Sequence, residues 1–388
     1  MRTFAVIVAG YCSFLELYAT QPLLPLLADV FHAGTVEVSL TVTMGALGVA
    51  LAAPMAGRLA DRFGKKQVIV ASAFLLAVCS LAAATSTTLP ILIGWRFLQG
   101  LVTPGVFAVV VAYINDEWAQ SGAGATMSAY ISGTVGGGFS SRFISGLVAA
   151  SFDWHWVFIV LGTLNLIGAF VILFILPEPT HAAPPKHQDS LWTASIAHFK
   201  NRPLVATYAV GFCMLFTQVG VFTYITFYLA APPFSLATSA LGSIFFVYLV
   251  GVAMNPLSGK LIDRYGQRTV VTLAIGAIGL GIALTLVQNL IVILVGLSLC
   301  CLGVFGAQTS ASGFVGIAAR HHRALAVGLY ATSYYIGGSV GGVVPGYFWN
   351  QGGWPACVAF IISVQLLTLL NVRRFWTMPR GAAVSVRV

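Results

Sequence analysis

Charge is what this chain has least of. Of its 388 residues, 19 are Lys or Arg and 10 are Asp or Glu, 7% in all, against about 25% in an ordinary soluble domain. So few charges cannot cover the surface of a soluble protein this size, and a mean hydropathy of +0.92 agrees. A single soluble core, a disordered chain and a nucleic-acid-binding domain are all excluded on these grounds. Cysteine is sparse too. Cys12, Cys79, Cys213, Cys300, Cys301 and Cys357 each sit in an apolar run and none forms a CxxC pair, so they read as small buried hydrophobes, neither a disulfide framework nor a metal site. The seven histidines lie in or beside polar breaks, so no metal is expected. Also missing are a GxxxxGK[ST] phosphate loop, a nucleophile–base pair and an extramembrane domain. These absences argue against an ATP-driven pump, a membrane enzyme and any bound cofactor.

What the chain does have is long apolar runs. A bilayer core of about 30 Å needs about 20 apolar residues in a helix. Twelve such runs can be marked, at 4–30, 38–59, 66–87, 90–115, 124–150, 155–176, 204–230, 236–258, 269–287, 290–315, 324–349 and 355–373. They are continuously apolar and do not alternate, so they predict helices and not barrel strands. The first run carries Glu16 and enters Gln21-Pro22 with no small-residue cleavage site, so it reads as a retained first helix. The expected fold is an all-α membrane protein with 12 transmembrane helices.

Orientation follows from the basic residues. With both termini cytoplasmic, the inside segments hold Arg2, Arg58, Arg62, Lys65, Lys66, Lys186, Lys200, Arg202, Lys260, Arg264, Arg268, Arg320, Arg323, Arg373, Arg374, Arg380 and Arg387, which is 17 of 19. The remaining two, Arg96 and Arg142, fall inside spans. The net charge of +9 is therefore a topology signal and not a nucleic-acid patch.

The longest polar segment, 177–203, holds Pro177, Pro179, Pro184 and Pro185 and divides the spans six and six. It reads as a cytoplasmic linker, with a short surface helix near 189–199, between bundles at 1–176 and 204–388. The halves repeat. Gly57-Arg58-Leu59-Ala60-Asp61-Arg62-Phe63-Gly64-Lys65-Lys66 follows span two, and Gly259-Lys260-Leu261-Ile262-Asp263-Arg264-Tyr265-Gly266-Gln267-Arg268 follows span eight, 202 residues later. Gly133-Thr134-Val135-Gly136-Gly137 in span five matches Gly338-Ser339-Val340-Gly341-Gly342 in span eleven at an offset of 205. Two matches at nearly one offset indicate a duplicated six-helix unit.

These motifs and the six-plus-six layout resemble the major facilitator superfamily over nearly the whole chain. Tyr18-Ala19-Thr20-Gln21-Pro22-Leu23-Leu24-Pro25-Leu26 in span one and Arg96-Phe97-Leu98-Gln99-Gly100 in span four are similar to the bacterial 12-helix drug:proton antiporter branch. The span-five glycine run, followed by Arg142, is also similar to that branch, but it reads Gly136-Gly137-Gly138-Phe139 where efflux members carry a proline. The resemblance implies two six-helix bundles working by alternating access as a monomer in a bacterial inner membrane. It also implies a small amphipathic or drug-like solute and protons as partners, and export as the direction. A facilitator or importer of one metabolite, anchored by Glu16 and Arg142, is the alternative.

The loop motifs are the expected gate. Gly57 and Gly64 allow tight turning where a helix leaves the membrane. Asp61 stands at the wrong end of its own helix dipole and is better placed against another helix's N-terminus. The resemblance implies that Asp61 meets the start of span eleven, and Asp263 the start of span five, when the cytoplasmic side closes. Arg62 and Arg264 belong to the same motif. Lys65 is expected to pair with Asp116 or Glu117; span ten ends near Arg320, so no mirror pair is expected. The plainer reading makes these charges topology determinants only.

Three charges lie within spans, and an ionisable group there costs at least about 2.5 kcal/mol at the helix centre. Glu16, about 18 Å along span one, is the only carboxyl well inside a span. Burial favours its neutral acid and a nearby arginine its carboxylate, so Glu16 is the expected proton site, with Arg142 or Arg96 as counter-charge. A static Glu–Arg pair that fixes packing is the competing reading. Arg142 has a second reading as an anchor for an anionic substrate. The resemblance places spans one, four, seven and ten around the centre, making Tyr18, Gln21, Gln99, Phe216, Gln218, Tyr224 and Gln308 the substrate-binding candidates, with Tyr334 from span eleven. Aromatics also face lipid, so each of these has a bland alternative.

Overall fold

A computed structural model describes residues 2–118, 123–178, 191–319, 321 and 323–376. Among them every regular element is helical. Spans two, three, five and six are Thr35–Phe63, Lys65–Ala83, Ala123–Ser151 and Trp154–Ile175. Spans seven, nine and ten are Arg202–Ala230, Gln267–Leu284 and Leu290–Ala318. Span four is Leu89–Val102 continued by Pro104–Glu117, because Pro104 has no N–H to extend the first piece. Span eight is Thr238–Ile244 continued by Val247–Tyr265. The run Arg323–Phe375 holds spans eleven and twelve, separated by non-helical backbone at Gly352 and Gly353.

Span one is built in pieces, and here the structure departs from the single helix expected. Arg2–Leu15 is α-helical, residues 16–20 are turns, Gln21–Leu23 is a 3-10 turn, and Leu24–Phe31 resumes the helix. Pro22 cannot donate to the Tyr18 carbonyl four residues back, and its ring crowds that turn. The chain tightens instead, with Ala19 N bonding Glu16 O at 3.3 Å and Gln21 N bonding Tyr18 O at 3.1 Å.

Twelve helical passes result, in two six-helix bundles of the same design. Eight helical stretches are long and apolar enough to cross a bilayer by themselves, one of them the joined pair of spans eleven and twelve. Span one is broken, span eight bends, and span five is diluted by glycine and serine. The linker helix is Leu191–Lys200. Residues 179–190 of the linker, including Lys186, and Arg320, Arg380 and Arg387 of the orientation argument lie outside the described residues.

The repeat is visible in the packing. Gly133 and Gly137 of span five press on the backbone of Ile7 and Tyr11 in span one. Gly337 and Gly341 of span eleven press in the same way on Phe212 and Phe216 of span seven. A Cβ on any of the four would collide with main-chain atoms, so the helices meet at a separation that only glycine permits. The loop motifs repeat as well. Gly64 (φ 93°) and Gly266 (φ 78°) each end one helix and begin the next in the left-handed region, where glycine is unstrained. Gly57 does not turn the chain as expected. It lies within the helix Thr35–Phe63, and a Cβ there would meet nothing within 4 Å.

The two loop motifs mark what is here named the basic end of the molecule. Contacts between the halves gather toward the opposite, far end. Thr43 Oγ1 donates to Ser339 O at 3.2 Å, Thr35 Oγ1 donates to Asn350 Oδ1 at 3.3 Å, and Gly146 meets Gly242 backbone to backbone. At the basic end Asp61, Arg62, Asp263 and Arg264 are exposed. The helices therefore converge at the far end and part at the basic end.

Gly137→Val and Gly341→Val each force spans apart. We expect a loss of about 1–3 kcal/mol in stability for either, read as a lowered melting temperature of the purified protein in detergent. A control at Gly57→Ala, which lies within a helix and meets open space, does not lower it.

Candidate functional site

The break in span one leaves carbonyls at membrane depth without helical donors, and a buried polar group without a partner is costly. Arg96, on span four, supplies the donors. Its Nη1 donates to Glu16 O at 2.7 Å, its Nη2 to Leu17 O at 2.5 Å and its Nε to Thr41 O of span two at 3.1 Å. Nη1 also donates to Gln99 Oε1, one turn along the same helix. The guanidinium thus ties spans one, two and four together at the unwound segment.

Glu16 stands beside it, 0% exposed. Its carboxyl is held by three neutral groups from three spans. Asn165 Nδ2 of span six donates to Oε1 at 2.9 Å, Ser80 Oγ of span three lies 2.9 Å from Oε2, and Gln99 Nε2 donates to Oε2 at 3.4 Å. Among the described residues Lys65–Asp116 and Lys66–Glu178 are ion pairs, His155 Nδ1 lies 3.0 Å from Asp153 Oδ1, and no arginine nitrogen lies within 4 Å of the Glu16 carboxyl. The static Glu16–Arg pair is therefore not formed. Arg96 reaches the carboxyl through the Gln99 amide, whose oxygen accepts from Arg96 and whose nitrogen donates to Glu16.

Ser80 has one hydroxyl proton and two acceptors in reach, Glu16 Oε2 and Phe158 O, at 2.9 and 3.0 Å. With Glu16 ionised, the hydroxyl donates to the carboxylate. With Glu16 protonated, the acid donates to Ser80, which turns its own proton to Phe158 O. Both protonation states are satisfied by rotating one hydroxyl.

Arg142 is not a partner of Glu16, which corrects one expected counter-charge. Its Nε donates to Gln21 Oε1 at 2.8 Å and its Nη1 to Gly138 O at 2.5 Å. Its guanidinium carbon lies 4.7 Å from the Tyr18 ring centre, 5.1 Å from Phe245 and 4.8 Å from Tyr248. The first ring is from span one and the other two lie at and just after the break between Ile244 and Val247 of span eight, so this cation sits where the halves meet. Gln21 continues the seam, with Nε2 3.5 Å from Thr223 Oγ1 of span seven.

The other candidates divide. Gln218 is buried beside Tyr248, and Tyr334 and Gln308 are half-buried. Tyr334 contacts Tyr330 and Tyr335, and Tyr335 meets Phe107 of span four at 5.9 Å. Phe216 instead packs on Phe212 and on Phe360 of span twelve. Tyr224 donates to Gly342 O at 2.8 Å and is fully buried. Gln99 is committed to the Arg96–Glu16 network. Those three side chains hold helices together in this state. Of the gate residues, Lys65 Nζ is ion-paired with Asp116 Oδ2, while Glu117 has other interactions.

Ser80, Asn165, Phe245 and Tyr248 escaped the sequence reading. Asn165 had a signal, since it is the one amide in the very apolar stretch 154–175, and an isolated amide in lipid needs a partner.

The chain matches the family model described as Major Facilitator Superfamily over residues 6–251 and 229–386. It is 32% identical to the uncharacterized MFS-type transporter YybF of Bacillus subtilis (strain 168), covering 95% of this chain and 91% of that one. It is also 32% identical to the inner membrane transport protein YnfM of Escherichia coli (strain K12), covering 95% and 88%. The crystal structure of a mutant of the nucleoside transporter NupG superposes with a TM-score of 0.82 at 15% identity, covering 97% of this chain and all of that one. A bacterial homolog of the human lysosomal transporter Spinster gives 0.75 at 16% identity, covering 96% and 97%. The two structural likenesses speak to the fold alone.

Arg96→Lys leaves one nitrogen to serve carbonyls in three directions. We expect a loss of about 2–4 kcal/mol in stability, measured by denaturant unfolding in micelles, with faster amide exchange confined at first to residues 16–21.

Proposed function

The chain belongs to the major facilitator superfamily, and from that premise we propose that it is a proton-coupled exporter of a small amphipathic organic solute. It is a multi-pass membrane protein and a secondary transporter. The finer reading rests chiefly on one observation: a single carboxyl at membrane depth whose hydroxyl neighbour, Ser80, accommodates it with or without a proton. In this reading Glu16 carries the proton, and Gln99 relays the Arg96 charge to it. Proton uptake relaxes the hold of Asn165, Gln99 and Ser80 on the carboxyl and so alters the ties of span one to spans three, four and six. Likeness of the span-one and span-four motifs to the antiporter branch supports export.

The basic end is assigned to the cytoplasm, with both termini, in the inner membrane of a bacterium. The halves 1–176 and 204–388, joined by 177–203, are the moving units, and the conformation is then open inward. Gly57 and Gly259, and Gly124 and Gly328 near the starts of spans five and eleven, all face open space. They are smooth surfaces onto which the halves close when the far end opens. Asp61 and Asp263 then approach the N-termini of spans eleven and five, and each contact is worth about 1 kcal/mol near water, enough to hold a state and still release it. The alternative, with Glu16 anchoring a metabolite, is disfavoured because its carboxyl is enclosed within one half.

Two outcomes are expected. Glu16→Gln in proteoliposomes with an internal pH dye abolishes solute-dependent proton movement while solute exchange persists; full proton coupling in that variant removes Glu16 from the role. Asp61→Asn lowers the population closed at the basic end about fivefold, read as longer distances between spin labels on spans two and eleven.

A further inference from the structure

Arg142 is a buried cation without a counter-ion of its own. It is 4% exposed, and no acidic side chain forms an ion pair with it among the described residues. Glu16, the only acid well inside a span among the described residues, is engaged elsewhere. A guanidinium carries five N–H groups. One goes to Gln21 and one to Gly138 O, which leaves both protons of Nη2 and one of Nη1. Among the described residues no acceptor meets them. Three aromatic faces surround the charge, but ring faces offset only part of the loss of water around a cation. The Tyr18 hydroxyl, on one of those rings, is buried and also has no hydrogen-bond partner. The free Nη1–Nη2 edge is the fork that matches a carboxylate through two parallel hydrogen bonds.

Resting on the transporter reading above, we propose that Arg142 anchors the carboxylate of the transported solute, and that the substrate class is an organic monoanion with a flat apolar body. The Nη1–Nη2 edge takes the two carboxylate oxygens and the Tyr18 hydroxyl donates a third hydrogen bond. Phe245, Tyr248 and the half-buried Tyr334 receive the apolar part. Tyr334 packs edge-on against Tyr335, whose ring meets Phe107 of span four across the halves. The position also explains how occupancy is felt by the whole molecule. Gln21 and Gly138 hold the guanidinium from the first half, while Phe245 and Tyr248 meet it from the second. An anion here neutralises a charge that three rings and two neutral acceptors now shield, and so changes the strength of the far-end seal.

The test is equilibrium binding to the purified full-length protein in nanodiscs, followed by intrinsic tryptophan fluorescence and calorimetry. The probes are 3-phenylpropanoate, its amide 3-phenylpropanamide and the amine 3-phenylpropylamine. We expect saturable binding of the acid, at least about tenfold tighter than either analogue, its loss in Arg142→Gln, and partial retention in Arg142→Lys. Equal binding of the amide or amine overturns the proposal. So does undiminished binding of the acid by Arg142→Gln, or the absence of saturable acid binding up to about 10 mM. If Arg142→Gln does not fold, the wild-type ranking and the Arg142→Lys variant carry the decision. Amine-driven proton flux unaffected by Arg142→Gln would retain the transporter reading and remove this one. Acid binding that depends on Arg142, with no solute-driven proton flux, would retain this one and remove proton coupling.

Discussion

The site depends on a constraint imposed by lipid: backbone groups at membrane depth must be paired. Pro22 breaks span one and removes the helical donor from the Tyr18 carbonyl, and the carbonyls of Glu16 and Leu17 turn to the Arg96 guanidinium. That one side chain makes the break tolerable. Tyr18 and Gln21, two and five residues on, face away from Glu16, as they would on a continuous helix too; what the break adds is the pair of carbonyls that Arg96 serves. Glu16 turns into the first bundle, while Tyr18 and Gln21 turn to the seam with the second. One cation thus holds the segment that carries Glu16, Tyr18 and Gln21.

The two remaining buried charges are handled by different chemistry. The Glu16 carboxyl is solvated by neutral donors, a hydroxyl and two amides, which stand in for water at fixed positions. Arg142 is solvated by rings and two acceptors, which hold it without saturating it. The first arrangement is enclosed within one half of the molecule, and the second straddles both. The carboxyl inside one bundle and the cation at the seam are thereby kept apart, with span one as the element they share.

Duplication gives the framework in which this matters. Glycines of spans five and eleven bring span one and span seven to the same close approach in each half. The halves meet through small residues, a few hydroxyl bonds and the rings of Phe139, Phe143 and Phe246. Lys65 and Asp116 are paired within the first half, so this link ties spans three and four of one bundle and does not cross between the halves.

Much of the architecture was legible in the residue order. Charge scarcity, twelve apolar runs, the repeated loop and the division near 177–203 follow from solvation in lipid and from local pattern, and neither needs coordinates. Glu16, Arg96 and Arg142 stood out because ionisable groups in a bilayer are costly, and that cost belongs to the residue type. Their partners were another matter. Ser80, Asn165, Phe245 and Tyr248 are ordinary members of apolar helices, and only the packing of six spans shows that two of them hold a carboxyl and two face a guanidinium. Periodicity states which residues share a helix face but not which face meets which neighbour. The choice between Arg96 and Arg142 as companion to Glu16 was therefore made by tertiary structure, through the packing that sets Glu16 among spans three, four and six and leaves Arg142 at the seam.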